Sequence, residues 1–272
     1  MLQATRKWIA PVLAVFAVAA IQAPSAKAAF TLTVQEDAGT AFAGAVISIA
    51  GPLDGSSNPD TITALTTALN SALTYFQFGS LSSASSGPDG TPGSDDVASL
   101  TQTGVVVRTN DNSNGLVHTL TIIASDDTFS FPVSNPKEMR TSAGGTFNNT
   151  TAGDSRTFQS IFDATGSGGG LVNTSLGAFT FTPGVGTGPF SPSNPDLVTP
   201  LGSQTTPFTL TNITVITLGA NGPGTTNVQQ AQFTGGTSVQ TVVAEPSSMA
   251  LGLISLPALL ALGRRMRRRT DV

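Results

Sequence analysis

The sequence predicts an all-β protein, an antiparallel β-sandwich for which a jelly-roll-like arrangement is one form. Three observations indicate this class. Short runs in which apolar and polar residues alternate recur along the chain, as in strands that bury one face. Clusters of Gly, Pro and Asn separate these runs, and the 272 residues include 29 Gly and 17 Pro. Strand and helix patterns do not alternate regularly, so a parallel α/β sheet is not expected.

The alternation is clearest at the start of the body of the chain. Phe30, Leu32 and Val34 alternate with polar residues, which predicts a first strand with one buried face. The apolar residues within Gly44–Ala50 predict a second strand.

A hairpin is predicted further along the chain. Val105–Thr109 and Leu116–Ala124 both read as strands, and they flank an Asn-rich segment that ends in Asn114-Gly115. Asn-Gly favours a tight turn because both residues tolerate a positive φ. We therefore expect these two strands to pair with each other.

Later segments continue the β pattern, with one exception. Strands are predicted at Arg140–Phe147, Ser155–Phe162, Ala178–Thr182, Phe208–Leu218, Asn227–Phe233 and Ser238–Val243. Asp60–Leu73 has leucines at four-residue spacing and predicts one short helix, although Ile62 and several Thr favour a strand. Ser82–Asp96 is predicted to form a long surface loop.

Residues 1–28 have the features of a secretory signal peptide. A basic pair precedes an apolar run, and Ala26 and Ala28 provide the small residues that a signal peptidase accepts. Cleavage after Ala28 is predicted, which leaves residues 29–243 as the β-sandwich body. An uncleaved membrane anchor is the alternative.

Residues 244–272 have three parts: a short polar stretch, an apolar run from Met249 to Leu262, and a basic tail. The apolar run is shorter than the roughly 20 residues that a free-standing membrane span needs. The arginines favour the cytoplasmic face, which places the body outside. This pattern predicts a sorting signal that is cut from the chain, with a permanent C-terminal anchor as the alternative. The residues assigned to the signal are Glu245, Pro246, Arg264, Arg265, Arg267, Arg268 and Arg269.

Glu245-Pro246-Ser247-Ser248, the apolar run and the arginine tail together resemble the PEP-CTERM sorting signal. That signal occurs on exported proteins of Gram-negative bacteria that make exopolysaccharide. Ala244 stands where the motif has its first proline. The resemblance implies two processing partners, signal peptidase and an exosortase-type enzyme that removes the tail. It also implies membrane contact through the C-terminal segment before processing.

A second resemblance lies within the body. Four segments are similar to stretches of uncharacterised proteins that carry this signal: Tyr75–Leu81, Ser83–Ser86, Leu100–Gly104 and Thr119–Phe129. The similarity implies a β-rich surface domain, and it supplies no catalytic residues.

The charge distribution excludes nucleic acid as a partner. Eight of the 12 basic residues lie in the two terminal segments, so the body has four cations against 14 acids. A surface this poor in cations cannot neutralise a phosphate backbone. The chain has no Cys, which rules out disulfides, thiolate nucleophiles and Cys-ligated metals.

Few residues are candidates for catalysis. His118 is the only histidine, and the predicted strand places it on one face with Leu120 and Ile122, so we interpret it as a hydrogen-bonded strand residue. No Gly-x-Ser-x-Gly motif surrounds any serine. Neighbouring acids such as Glu36-Asp37 and Asp126-Asp127 would point to opposite faces of a strand, so they do not form a glycosidase pair. No catalytic residue is assigned, and a secreted hydrolase is the least favoured alternative.

A structural Ca²⁺ is the one cofactor that the sequence suggests. Asp111, Asn112 and Asn114 precede Gly115 in a pattern that faintly echoes an EF-hand loop, although the twelfth position is not Glu. Asp95 and Asp96 belong to a second cluster of oxygen donors. A plain turn is the favoured interpretation of the first cluster.

The sequence therefore predicts an exported protein of the cell surface or extracellular matrix, with a structural or adhesive role and no catalysis. Exopolysaccharide is the expected partner, because the body is polar and rich in Thr and Ser. A carbohydrate-binding module is the alternative, although such modules usually use surface aromatic residues and the body has one Tyr and no Trp.

Overall fold

Alternating burial along the strands produces two antiparallel sheets that face each other across a phenylalanine-rich core. The computed structural model describes residues 30–40, 43–50, 60–63, 66–86, 97–109, 116–129, 132–164, 174–175, 179–187, 189–191, 193–204, 207–219 and 228–242. Its elements are β1 (Thr31–Glu36), β2 (Ile47–Ala50), β3 (Asp60–Thr63), α1 (Thr66–Ala72), β4 (Phe76–Ser86), β5 (Val97–Arg108), β6 (His118–Phe129), β7 (Lys137–Asn148), β8 (Ser155–Asp163), β9 (Thr174–Ser175), β10 (Phe179–Phe181), β11 (Ser193–Gly202), β12 (Phe208–Leu218) and β13 (Gln230–Thr241).

Sheet A has the strand order β10-β8-β12-β6-β1-β2, and β9 also pairs with β8. Sheet B has the order β11-β7-β13-β5-β4-β3. All of these pairings are antiparallel. The predicted all-β antiparallel sandwich is confirmed. The predicted signal helix and C-terminal apolar helix lie outside the described residues, and no helix within the described ranges is long and apolar enough to cross a bilayer.

The strands of the two sheets run between the same two ends of the sandwich. The Arg108 end contains Glu36, Phe76, Arg108, His118 and Leu218, where β1, β5 and β12 finish and β4 and β6 begin. The Lys137 end contains Thr31, Val97, Phe129, Lys137 and Thr241, where β1, β5 and β7 begin and β6 and β13 finish.

Aromatic side chains from both sheets fill the core. The Phe208 ring lies 5.5 Å from that of Phe129 and 4.9 Å from that of Phe162, measured between centroids. Phe158 of sheet A packs onto the backbone of Gly235 in sheet B, where a β-carbon would collide with the ring. The absent side chain at Gly235 is therefore what lets the two sheets approach each other here.

A belt of polar side chains crosses the middle of the core. Asn212 of β12 donates to the Leu100 carbonyl of β5 at 2.8 Å, and it accepts hydrogen bonds from the hydroxyls of Ser160 and Thr237. Because these residues come from both sheets, the bonds fix the position of one sheet on the other. Each group is satisfied by its neighbours, which removes most of the cost of burying it.

Several sequence predictions differ from the observed elements. The predicted hairpin across residues 110–115 is wrong, because β5 belongs to sheet B and β6 to sheet A, so the chain reverses direction but does not pair these two strands. The two strands predicted within 227–243 form the single strand β13. β4 and β11 were not predicted as strands, and Ser82–Ser86 is part of β4 and not of a loop.

The segment 60–73 contains both of the structures that its sequence favours. Its first part forms β3 and its second part forms α1. Leu69 is buried, and the Asn70 side chain accepts from the Phe78 N–H at 2.7 Å and donates to the Phe78 carbonyl at 3.0 Å. The helix is thereby fixed against the β-bulge that follows Phe78 in β4.

Candidate functional site

The Arg108 end contains a buried polar cluster around the single histidine. His118 is 2 % exposed, and its Nδ1 lies 2.5 Å from Oδ2 of Asp37. The other oxygen of Asp37 accepts the Thr119 N–H at 2.8 Å. Asp37 immediately follows β1 in a left-handed backbone conformation, with a φ of 47°, which turns its carboxylate toward β6.

Tyr75 covers the histidine ring, and Arg108 lies near Tyr75 in turn. The Tyr75 ring stacks on His118, with centroids 3.5 Å apart, and the Arg108 guanidinium lies 5.8 Å from the Tyr75 centroid. Arg108 donates to the carbonyl oxygens of Leu218 at 2.9 Å and Leu116 at 3.1 Å. The arginine therefore ties β5 in sheet B to the last residue of β12 in sheet A.

Two further carboxylates in this cluster accept backbone hydrogen bonds. Glu36 accepts the N–H groups of Thr74, Tyr75 and Phe76 at 2.8–2.9 Å, which fixes the start of β4. Asp154 accepts the N–H groups of Thr151 at 2.8 Å and Gly219 at 2.6 Å. Burial raises the pKa of Asp154, while these hydrogen bonds and the positive charge of Arg108 act in the opposite direction.

The chemistry of this cluster is that of a structural network. Among the described residues, an Asp–His pair is present, but His118 Nε2 is buried and makes no hydrogen bond, so no serine or threonine hydroxyl reaches it. The prediction of a hydrogen-bonded strand histidine agrees with this geometry, and His118 faces the core together with Leu120 and Ile122.

A shallow groove crosses the outer face of sheet B. It has a volume of about 550 Å³ and spans β4, β5, β13 and β7. Its polar lining consists of the side chains of Ser80, Thr103, Thr146, Ser191, Gln232 and Thr234. These groups are all uncharged, and each can both donate and accept hydrogen bonds. The groove is therefore suited to a neutral, hydroxyl-rich ligand.

The sequence-predicted site residues fall outside the part of the chain that the structure describes. This holds for the calcium candidates Asp95, Asp96, Asp111, Asn112 and Asn114, and for Ala26, Ala28, Glu245, Pro246 and the arginine tail. Within the described ranges, no three His, Cys, Asp or Glu side chains lie close enough to hold a metal ion. The cluster at the Arg108 end joins Asp37 to His118 across 81 positions, and no local sequence signal indicates that contact.

The fold and these features define an all-β antiparallel sandwich with a polar groove on one sheet and a buried polar network at one end. No protein-family model matches the chain, and no curated protein matches it in sequence. The solved structures that show similarity include those of the Gx and Gt strains of infectious bursal disease virus. The identities are 12% and 13% and the TM-scores 0.24 and 0.25, with 80% and 78% of this chain covered. The chain spans 56% of the length of each, and similarity at this level assigns no function.

Proposed function

We propose that this chain is an exported, non-catalytic protein of the cell surface or extracellular matrix. In this proposal the terminal segments direct export and sorting, and the sandwich serves as a structural or adhesive unit within exopolysaccharide. The observation that supports contact with polysaccharide is the uncharged, hydroxyl- and amide-lined groove on sheet B. A polysaccharide presents many hydroxyls, which such side chains can match without paying for the desolvation of a charge.

The sorting part of the proposal is tested by intact mass and terminal peptides. The protein is recovered separately from the membrane, the outer surface and the medium of cells that produce it. We expect a mature form that begins near Ala29 and ends near Glu245. In the Pro246→Ala variant we expect the tail to remain attached and the protein to accumulate in the membrane fraction, whereas Ser248→Ala serves as the matched control.

Two results would contradict the sorting proposal. A surface or medium form that retains residues 249–269 would mean that the tail is not removed. Processing of Pro246→Ala at the rate of the wild type would mean that the Glu245-Pro246 motif does not direct it. Either result leaves a plainly anchored or secreted protein, and the assignment to the matrix loses its main support.

A carbohydrate-binding module is the second candidate, and the groove supports it as well. Retention of the protein on immobilised exopolysaccharide from the producing cells should fall several-fold in the double variant Thr103→Val, Thr234→Val, because valine keeps the shape and removes the hydroxyl. The matched control is Thr211→Val, Thr217→Val, on the outer face of sheet A. Equal retention of both double variants would show that the groove on sheet B is not where the protein binds exopolysaccharide. A glycan array then separates the two candidates, since a module selects defined sugars and an adhesive protein does not.

A further inference from the structure

Three oxygen-bearing side chains lie next to one another on the outer face of sheet A, near the Lys137 end. They are Asp127 on β6, Thr209 on β12 and Asp163 on β8. Thr209 and Asp163 are directly opposite each other in the pairing of β12 with β8. Directly opposed residues in an antiparallel pair project from the same face, so these two side chains are neighbours.

A β-bulge brings Asp127 to the other side of Thr209. In the pairing of β12 with β6, Leu210 is opposite Asp126 and Phe208 is opposite Phe129, so two residues of β6 face the single residue Thr209. Asp126 and Phe129 point into the sandwich, where both are buried. Asp127 therefore leaves β6 toward the outer face, and Thr209 lies between two aspartates on strands about 4.8 Å to either side.

Two oxygen atoms at this place are withdrawn from solvent and lack hydrogen-bond partners. Thr209 is 3 % exposed and Asp163 4 %, and both are covered although they lie on an outer face. Thr209 Oγ1 and Asp127 Oδ1 are inaccessible to solvent and make no hydrogen bond. A buried hydroxyl and a buried carboxylate oxygen without partners are each costly, so a cation that binds both atoms would remove that cost.

The cationic side chains of the body are engaged at other places in the structure. The body between residues 29 and 244 has four cationic side chains, and each has partners elsewhere. Arg108 donates to the carbonyls of Leu218 and Leu116, and Lys137 donates to Asn135 and to the Gln204 carbonyl. Arg140 pairs with Glu138, and Arg156 donates to the Gly144 carbonyl. Asp127 takes part in neither of the two ion pairs found among the described residues.

We propose that Asp127, Thr209 and Asp163 bind a calcium ion on the outer face of sheet A. Ca²⁺ prefers carboxylate, hydroxyl, carbonyl and water oxygens and accepts irregular geometry, whereas Mg²⁺ demands a near-ideal octahedron. An ion above the Thr209 hydroxyl would lie between the two carboxylates and neutralise them. With three side-chain ligands, the remaining positions would be filled by water, and the affinity belongs in the range of extracellular modules, with Kd of about 10⁻⁴–10⁻³ M.

The test uses the purified full-length chain in detergent, with CaCl₂ as the probe. Unfolding midpoints are measured in EDTA and in 5 mM CaCl₂, and binding is measured by titration calorimetry. We expect calcium to raise the Tm of the wild type by about 2–9 °C, as mass action predicts for 5 mM calcium and a site of this affinity. Asp127→Asn and Thr209→Val should lose both the shift and the binding heat. In EDTA, Asp127→Asn should be at least as stable as the wild type, because the neutral amide needs no countercharge.

Two control variants locate the effect. Glu138→Gln, which removes a half-buried acid that pairs with Arg140 on sheet B, should keep the full calcium shift. Asp111→Asn should keep it as well, because Asp111 belongs to a different candidate cluster. The proposal is overturned if the wild type shows neither a shift nor binding heat, or if Asp127→Asn and Thr209→Val respond to calcium like the wild type. Thr209→Val decides the matter alone if Asp127→Asn fails to fold, since it changes no charge.

Discussion

At the scale of single residues, two buried cations, Arg156 and Lys137, take part in neither of the ion pairs found among the described residues. Arg156 is 2 % exposed and donates to the Gly144 carbonyl, and burial lowers its pKa to about 10. Lys137 is fully buried and donates to Asn135 and to the Gln204 carbonyl, and burial lowers its pKa as well. In both cases a backbone carbonyl, and not a carboxylate, accepts a hydrogen bond from the charged group. The body thus uses its few cations to hold strands and loops in place.

The burial of Asp154 makes the stability of the protein depend on pH in a measurable way. Burial raises its pKa in the folded protein above the value of 3.8 that it has when unfolded. As pH rises through this interval, the unfolded chain releases its proton first, so the free energy of unfolding falls. The contribution of Asp154 is therefore fully present below pH 3.8 and is lost as pH rises through the folded-state pKa. We expect the stability of the wild type relative to Asp154→Asn to decrease between pH 3 and pH 7, measured by urea unfolding.

The comparison with Asp154→Asn isolates the titration of this one group, because all other ionisable groups are common to both proteins. The hydrogen bonds from Thr151 and Gly219 favour the carboxylate and burial disfavours it, so the pH dependence reports the balance of these two effects. A stability difference that stays constant, or that favours the wild type more strongly at pH 7, would show that the hydrogen bonds outweigh the burial of the charge.

At the scale of elements, glycines in β13 determine how closely the sheets pack. A β-carbon on Gly235 would collide with the Phe158 ring of sheet A, whereas one on Gly236 would meet nothing closer than Thr101 Cγ2 at 3.7 Å. Gly235→Ala should therefore destabilise the protein by about 1–3 kcal/mol, as overpacked cores do. Gly236→Ala, one position along the same strand, should change stability by about 0.5 kcal/mol or less. Urea unfolding of the two variants provides the measurement.

The pair of glycine variants also tests the cause of the effect. Replacing the Phe158 ring in the double variant Gly235→Ala, Phe158→Leu should recover part of the lost stability, because the leucine side chain can move away from the new methyl group. If Gly235→Ala and Gly236→Ala cost the same, the loss reflects strand propensity and not contact between the sheets.

The local alternation of apolar and polar residues predicts most strands, and there are physical reasons why it misses the others. β12 begins and ends at the predicted residues because inward apolar residues alternate at both of its ends, with Phe208 and Leu210 at the start and Ile216 and Leu218 at the finish. β4 escaped prediction because the bulge after Phe78 shifts the alternation by one position, and because Ser83 and Ser85 occupy buried places that would ordinarily be apolar. Gln102 is likewise a buried polar residue, and it interrupts the apolar alternation of β5. These residues are polar because they belong to hydrogen-bonded networks between strands, which a local pattern cannot reveal.

At the scale of the whole molecule, the chain moves repeatedly between the two sheets. β5, β6, β7 and β8 alternate between sheets B and A, so strands that are neighbours in sequence are not neighbours in a sheet. A turn signal such as Asn114-Gly115 indicates that the chain reverses direction, but it does not determine which sheet the next strand joins. The same limit applies to the calcium site, whose three proposed ligands lie on three strands that are distant in sequence.

The first and last strands place the points where the chain enters and leaves the sandwich at the same end. The chain enters the body at Thr31 and leaves it after Thr241, and both residues lie at the Lys137 end. β5, β6, β7 and β13 each have 12 residues, which corresponds to a length of about 40 Å. In the form that precedes removal of the C-terminal tail, the body would then act as a spacer that holds the Arg108 end about 40 Å from the point where the C-terminal segment leaves it. Strand length would thus determine how far into the surrounding matrix the protein reaches.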